Sequence, residues 1–179
     1  MFNDRYGLTT AVLQGCKTMT RRIVPTQYVP MIEDGLQGAA LIEAQRHGDA
    51  YRENEIVAVA QSYKDTGLFD IYRGPEDTKG WSNKMFVRAN LMPHQIQITD
   101  INIERLQDIT DEDCLKEGIK QTFSGSYCFE YTGKHGFGYT FSDHPKKAFA
   151  TLINRPGVGR KGLWEENPFV FAYSFKLIK

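Results

Sequence analysis

The stretch FVFAYSFKL at residues 169–177 gives the clearest structural signal in the chain. Its larger side chains occupy every second position, with smaller or polar ones between them: Phe169, Phe171, Tyr173, Phe175 and Leu177. Successive side chains of a β-strand point to opposite faces, so a period of two predicts a strand.

Two earlier segments also have strand character. Residues 17–24 are rich in β-forming types and end before Pro25, which cannot donate a backbone hydrogen bond. Residues 55–60 are apolar at both parities, and this pattern predicts a strand that is covered on both faces.

A fourth strand is predicted around a change of parity. Ile96 and Ile98 share one parity, whereas Ile101 and Ile103 share the other. A one-residue shift moves side chains to the opposite face, so a β-bulge at residues 99–100 is the simplest explanation.

Three helices are indicated by their ends. The first begins near Leu8 and stops at Gly15, a residue suited to the left-handed conformation after a helix. The second begins at Thr110 with the [ST]xx[DE] capping pattern and stops at Gly118. The third begins within residues 142–145, where a proline follows polar residues.

Short strands together with two or three helices predict an α+β protein built on a small β-barrel of about five to seven strands. A length of 179 residues fits one domain, spanning residues 1–179. The polar segment 26–54 is poorly periodic, and residues 39–46 within it fit either a short helix or one arm of a hairpin. Residues 65–84 contain Gly, Asp and Pro and read as a surface loop.

Composition limits the classes of function. The 22 basic and 22 acidic residues cancel, so any nucleic-acid role must rest on a local patch or pocket. The sequence has no long apolar run and no signal-peptide pattern at its start, and its three cysteines lack CxxC spacing. We therefore expect a reduced, soluble, cytoplasmic protein without a membrane partner. Phosphate-loop, dinucleotide and metal-site motifs are absent from the sequence, so no cofactor or metal is expected.

The stretch GCKTMTRR at residues 15–22 is the most suggestive for chemistry. A lysine at Lys17, partly buried and close to Arg21 and Arg22, would have a lowered pKa and would approach the basicity of a useful base. Lys17 and Thr20 have opposite strand parity, so they share a site only if Lys17 lies in the turn before the strand. The alternative is an edge strand protected by charges.

Glu117 falls in the last turn of the helix that begins at Thr110. The helix dipole there opposes a carboxylate and would make it a better proton donor. A solvated surface glutamate is the other interpretation.

Aromatic residues surround a glycine-containing turn within 124–141. Their period of two on both sides predicts a hairpin: Tyr127, Phe129, Tyr131, Phe137, Tyr139 and Phe141. The hairpin surface fits either base stacking or, as we prefer, packing against the barrel or a second subunit. Trp164 follows Lys161 and Gly162, which favour a mobile loop, and its ring has the same two interpretations.

Four ordered blocks resemble the ASCH domain family of the PUA-like superfamily, in particular its bacterial and phage-type proteins. They are GCKTMTRR, which resembles the GxKxxxxR signature, and the segments at 51–60, 98–110 and 164–171. The resemblance implies a small PUA-like barrel with a cleft at its mouth, a fold associated with RNA binding. Relative to compact members, the extra length lies in insertions near 26–54, 65–84 and 124–141.

One branch of this family hydrolyses the acetyl amide of N4-acetylcytidine with a Lys, a Thr and a Glu. The resemblance carries these roles onto Lys17, Thr20 and Glu117, since the first two stand three apart in the same signature and the third lies late in the helix after the central strands. The candidate ligand contacts are Lys17, Thr18, Arg21, Arg22 and Trp164.

Three functional hypotheses follow. The first is a binding module for RNA or a modified nucleoside. The second is an amidohydrolase that removes an acyl group from a nucleoside such as N4-acetylcytidine. The third is a protein-interaction domain, with a homodimer through the aromatic hairpin.

Overall fold

A computed structural model describes residues 2–66, 79–133 and 136–178 of the chain. The helices are Leu8–Leu13 (α1), Val29–Glu33 (α2), Gln37–His47 (α3), Asp111–Lys116 (α4), Pro145–Ile153 (α5) and Leu163–Glu166 (α6). The strands are Met19–Ile23 (β1), Ile56–Ala58 (β2), Gln95–Arg105 (β3), Lys120–Gln121 (β4), Tyr127–Gly133 (β5), Gly136–Ser142 (β6) and Phe169–Leu177 (β7).

The strands form two antiparallel sheets. The larger has the order β1-β7-β3-β2 and curls into a half-barrel, and the smaller has the order β4-β5-β6. The α+β class and a barrel-like sheet are therefore confirmed. The described residues contain six α-helices, more than the two or three expected.

Strand β7 lies at the centre of the larger sheet, between β1 and β3. Its small residues are as buried as its large ones, because both faces of a central strand are covered: Val170, Phe171, Ala172 and Tyr173 are each at most 2% exposed. The period of two thus located the strand, while its position in the sheet determined the burial of both faces.

The predicted β-bulge is present in β3. The register with β7 runs from Ile98 opposite Phe175 to Asp100 opposite Ser174, which leaves Thr99 as an extra residue. This shift lets Ile98 and Ile101 both be buried although their parities differ.

The segment 26–54 contains two helices rather than a hairpin arm. Helix α3 buries only Ala40 and Ala44. Two small residues four positions apart make a narrow apolar face, which explains why the hydrophobic period was weak.

The predicted strand at 55–60 is shorter than expected and lies at a sheet edge. Strand β2 spans Ile56–Ala58, and Ile56 is 57% exposed. The expectation that both faces are covered is therefore wrong, because the face that carries Ile56 is largely open to solvent. Most of the predicted loop at 65–84 falls outside the described residues.

Helix caps agree with the sequence patterns. The Thr110 side chain accepts a hydrogen bond from the Asp113 N–H at the start of α4, and Gly118 after this helix has φ of +108°. The ring of His144 caps α5, which has Pro145 in its first turn. Thr110 and Gly118 fix where α4 begins and ends, and so fix the position of Glu117.

Candidate functional site

Lys17 lies in the turn between α1 and β1. Its N–H donates to the Ala11 carbonyl after Gly15 has left the helix with φ of +71°, and β1 starts only at Met19. The condition for Lys17 and Thr20 to share one site is therefore met. The Lys17 side chain turns inward, and the residue is 2% exposed.

Glu117 is the C-terminal cap of α4 and is 5% exposed, so the interpretation as a solvated glutamate is wrong. The Thr18 N–H donates to the Lys116 carbonyl, and this bond ties the end of α4 to the start of β1. Lys17 Nζ donates to Glu117 Oε2 over 2.6 Å, to the Glu117 carbonyl over 2.8 Å and to the Met19 carbonyl over 2.7 Å. A protonated lysine has three donors, and all three are used here.

Arg21 holds the other side of the same carboxylate. Its Nη1 lies 3.1 Å from Glu117 Oε1, while its Nη2 lies 2.7 Å from Glu104 Oε1 and 3.3 Å from Asp113 Oδ2. Arg21 is 7% exposed. The result is a buried ion-pair network in which Lys17 and Arg21 share Glu117.

Burial dominates the electrostatics of the lysine. It lowers the pKa of Lys17 below its ordinary value of 10.5; Glu117 acts in the opposite direction, and Arg22 and Arg21 lower it further. For Arg21 the balance is reversed: burial acts to lower its pKa, but Glu117 and Glu104 outweigh burial and raise it. The site thus contains one cation that gives up its proton more readily than usual and one that does not.

These groups line a small cleft with about 40 Å³ of free volume. The predicted residues that line it are Lys17, Thr20, Arg21, Arg22 and Glu117. The remaining walls are mostly apolar: Phe2, Asn3, Leu8, Phe149, Leu152, Ile153, Gly157 and Val158. The arrangement combines a polar floor with apolar walls, which is typical of small-molecule sites.

In the described part of the chain β1 pairs with β7 alone, and the cleft runs along its outer edge, since three consecutive strand residues, Thr20 to Arg22, line it. The Phe175 N–H donates to the Thr18 carbonyl and the Val24 N–H donates to the Phe169 carbonyl, so the even-numbered positions face β7. Main-chain groups alternate in direction along a strand, and the Met19 carbonyl indeed faces away from β7 toward Lys17. The N–H and C=O of Arg21 are therefore both directed to the outer edge of β1, away from β7.

Two of the predicted ligand contacts do not line this cleft. Thr18 acts through its main chain, which joins α4 and β7 to the turn. Trp164 lies in α6, where its ring packs edge-to-face on Phe149 at 6.2 Å between centroids. Trp164 thus supports a wall of the cleft from behind.

Sequence reasoning missed several residues of the site. Asp113 belongs to a run of acids at the start of α4, where capping and dipole effects are sufficient to explain it. Glu104 sits among the alternating residues of β3, and Phe2 and Asn3 precede the first helix without any pattern. No local signal identified them, because their roles come from contacts with residues distant in sequence.

Within the described ranges, no three His, Cys, Asp or Glu side chains are grouped so that they could hold a metal ion. In the same ranges, no helix has the length and apolar character needed to cross a membrane. Cys16 is exposed, Cys114 and Cys128 are buried, and all three are free thiols.

Comparisons with protein-family models, with curated proteins and with solved structures found no match to this chain.

Proposed function

We propose that the chain is an ASCH-type, PUA-like domain that binds RNA or a modified nucleoside in the cleft along β1. The observation that carries the proposal is the meeting of Lys17, Thr20, Arg22 and Glu117 in one cleft. Two of these residues are almost fully buried, and burying charged groups costs free energy that a purely structural role rarely requires.

The charges of the floor favour a neutral ring over a phosphate as the group bound deepest. Lys17 and Arg21 are already compensated by Glu117, Glu104 and Asp113. A carboxylate has about four acceptor sites, so Glu117 retains capacity for an exocyclic amine of a base. The apolar walls suit the faces of the base.

Arg22 and the main chain of Arg21 supply the other contacts expected for a nucleotide. Arg22 is exposed and lines the cleft, so it is placed to meet a phosphate at the mouth. The N–H and C=O of Arg21 offer one donor and one acceptor side by side, a pair that matches the hydrogen-bonding edge of a base.

Binding is tested with short single-stranded RNA, cytidine and N4-acetylcytidine by calorimetry at two salt concentrations. Glu117→Gln and Arg22→Ala should each weaken binding at least about tenfold, a loss of about 1.4 kcal/mol. The matched controls are Glu53→Gln and Arg46→Ala, which make the same changes at exposed positions. The absence of binding to all three probes, or equal loss in the controls, would exclude this site.

Amide hydrolysis is the second candidate, favoured by the direct contact of Lys17 with Glu117 beside Thr20. Neutral Lys17 would take the proton of the Thr20 hydroxyl while its oxygen attacks the acetyl carbon. The proton then passes from Lys17 to Glu117 across the 2.6 Å contact, and Glu117 delivers it to the departing N4 amine as the C–N bond breaks. Water hydrolyses the acyl-threonine and regenerates the hydroxyl.

This route requires a change in the resting contacts of Lys17. All three donors of the protonated side chain are engaged, so base action requires that one of its three acceptors be released. The developing oxyanion would be stabilised by Arg22 or by the Arg21 N–H, which points away from β7.

Hydrolysis is tested by following deacetylation of N4-acetylcytidine by absorbance. Lys17→Met, Thr20→Val and Glu117→Gln should each reduce kcat/KM by about 100-fold or more, whereas Thr20→Ser keeps a hydroxyl and should retain turnover. Thr10→Ala, at an exposed position of α1, is the control. If turnover survives all three changes, the chain is not a hydrolase of this type.

A further inference from the structure

The outer strand of the smaller sheet, β6, presents an exposed row of aromatic rings. Phe137, Tyr139 and Phe141 are 61%, 47% and 63% exposed, and neighbouring ring centroids lie 5.0 Å and 6.0 Å apart. They occupy alternate positions and so share one face of the strand. In the described part of the chain, β6 pairs with β5 alone, which leaves its second edge open.

The four sheet edges differ in how they are protected. Strands β2 and β4 have only three and two residues, and β1 carries Arg21 and Arg22. Strand β6 has seven residues with neither a charge nor a proline. Short length, charge and proline are the usual protections against strand pairing, and β6 has none of them.

On the described strands of this sheet, one cation and one anion pair with each other. Lys120 pairs with Glu130 over 2.9 Å, and Glu130 lies directly opposite Tyr139 in the β5–β6 ladder. An RNA strand would need unpaired cations along the row, whereas Lys120 is already engaged and Arg5 reaches β5 rather than β6, through its Nε and the Thr132 carbonyl. A second copy of the same uncharged edge brings no charge at all.

We propose that β6 pairs antiparallel with β6 of a second copy about a two-fold axis at Tyr139. In this register Tyr139 faces its own counterpart, and Phe137 of each copy faces Phe141 of the other. Each aromatic residue thus meets an aromatic residue, so the surface is complementary to itself, as a two-fold interface requires. This inference is independent of the cleft along β1.

The interface is small. A fully covered aromatic side chain buries about 150–250 Å², so three half-exposed rings supply roughly 200–450 Å² per copy. A standard stable interface buries about 800 Å² per partner. We therefore expect a weak dimer whose population depends on protein concentration.

Sedimentation equilibrium over a concentration series tests the proposal. The unmodified chain should shift from monomer to dimer, and Tyr139→Lys and Tyr139→Glu should each be monomeric because like charges would meet at the axis. An equimolar mixture of the two variants should restore a dimer, since opposite charges then face each other. Ile42→Lys adds the same charge at an exposed position of α3 and should leave dimerisation unchanged.

Several outcomes would overturn the proposal: an unmodified chain that stays monomeric at the highest concentration, charged variants that dimerise normally, or a mixture that stays monomeric. Tyr139→Thr, a good strand former, serves as a second variant if the charged ones fail to fold, and it should weaken the dimer at least tenfold. A monomer whose binding to single-stranded RNA falls with Tyr139→Thr would identify the row as a stacking surface instead.

Discussion

Lys17 Nζ and Glu117 Oε2 lie 2.6 Å apart although 100 positions separate the two residues along the chain. Both are almost fully buried, and the second oxygen of Glu117 is held by Arg21. A buried ion pair is only marginally favourable as a whole, yet removal of one partner leaves an uncompensated charge in a poorly solvated place. Single substitutions among these few residues should therefore lower the free energy of unfolding strongly.

Glu117→Gln should lower the free energy of unfolding by about 3–5 kcal/mol, because Lys17 and Arg21 both lose their shared counter-charge. Urea denaturation measures the loss. Glu53→Gln, at an exposed position, is the control and should change stability by less than about 0.5 kcal/mol.

The double variant Lys17→Met/Glu117→Gln gives an internal check on this cause. The double variant also removes the lysine charge that Glu117→Gln leaves uncompensated. Its loss of unfolding free energy should therefore be smaller than the sum of the losses of the two single variants. Additive losses would show that the pair is not the source of the effect.

Stability should depend on pH through Lys17. Burial lowers the pKa of this lysine in the folded chain, whereas the unfolded chain keeps the ordinary value of 10.5. Between those two values the unfolded state binds more protons, so the stability of the native chain relative to Lys17→Met should rise as the pH increases toward 10.5. Urea denaturation of both proteins between neutral pH and 10 measures the difference; a flat or falling curve would contradict the lowered pKa.

Gly118→Ala should damage the cleft, and Gly125→Ala should not. Both glycines have positive φ, +108° and +84°, so alanine is strained at either place by about 1–2 kcal/mol. A Cβ at Gly118 would lie 3.2 Å from the Leu8 side chain and 3.7 Å from that of Lys17, whereas a Cβ at Gly125 would meet nothing within 4 Å. Similar losses in urea denaturation, with binding of N4-acetylcytidine or RNA reduced for Gly118→Ala alone, are the expected pattern.

Deletion of Thr99 should unfold the larger sheet. Without the extra residue, Ile101 and Ile103 move to the opposite face; the buried Ile101 loses burial worth about 1.5–3 kcal/mol, and the partly buried Ile103 loses less. Thr99→Ala keeps the residue count and should stay folded. Thermal unfolding followed by circular dichroism distinguishes the two; a deletion variant as stable as the alanine variant would mean that the bulge does not set the register.

Most of the fold could be predicted from the regular spacing of apolar residues along the sequence. The bulge could be predicted because isoleucine is strongly apolar and its parity change is visible across Ile98 and Ile101. The helix at α3 could not be distinguished from a hairpin arm, since an alanine pair gives almost no apolar signal, and α2 was not predicted. The exposure of Ile56 was also hidden, because edge and central strands have the same local composition.

The residues of the site also fall into those that the sequence identified and those that it did not. Lys17 and Thr20 were found from a local motif, and Glu117 from the end of a well-capped helix. The partners of Arg21, Glu104 and Asp113, lie more than 80 positions from it and have ordinary local explanations. Long-range pairing of this kind becomes visible only once the chain is folded.

The bond between the Thr18 N–H and the Lys116 carbonyl can form only after residue 116 has been synthesised. Ribosomes add about 5–20 residues per second, so Lys17 emerges about 5–20 s before Glu117 does. Until then, the nascent lysine has no counter-charge to accompany it into an apolar interior and stays hydrated at the surface. Closure of the cleft comes later still, because its walls at Phe149 to Val158 and the strand β7 that holds β1 are synthesised after Glu117.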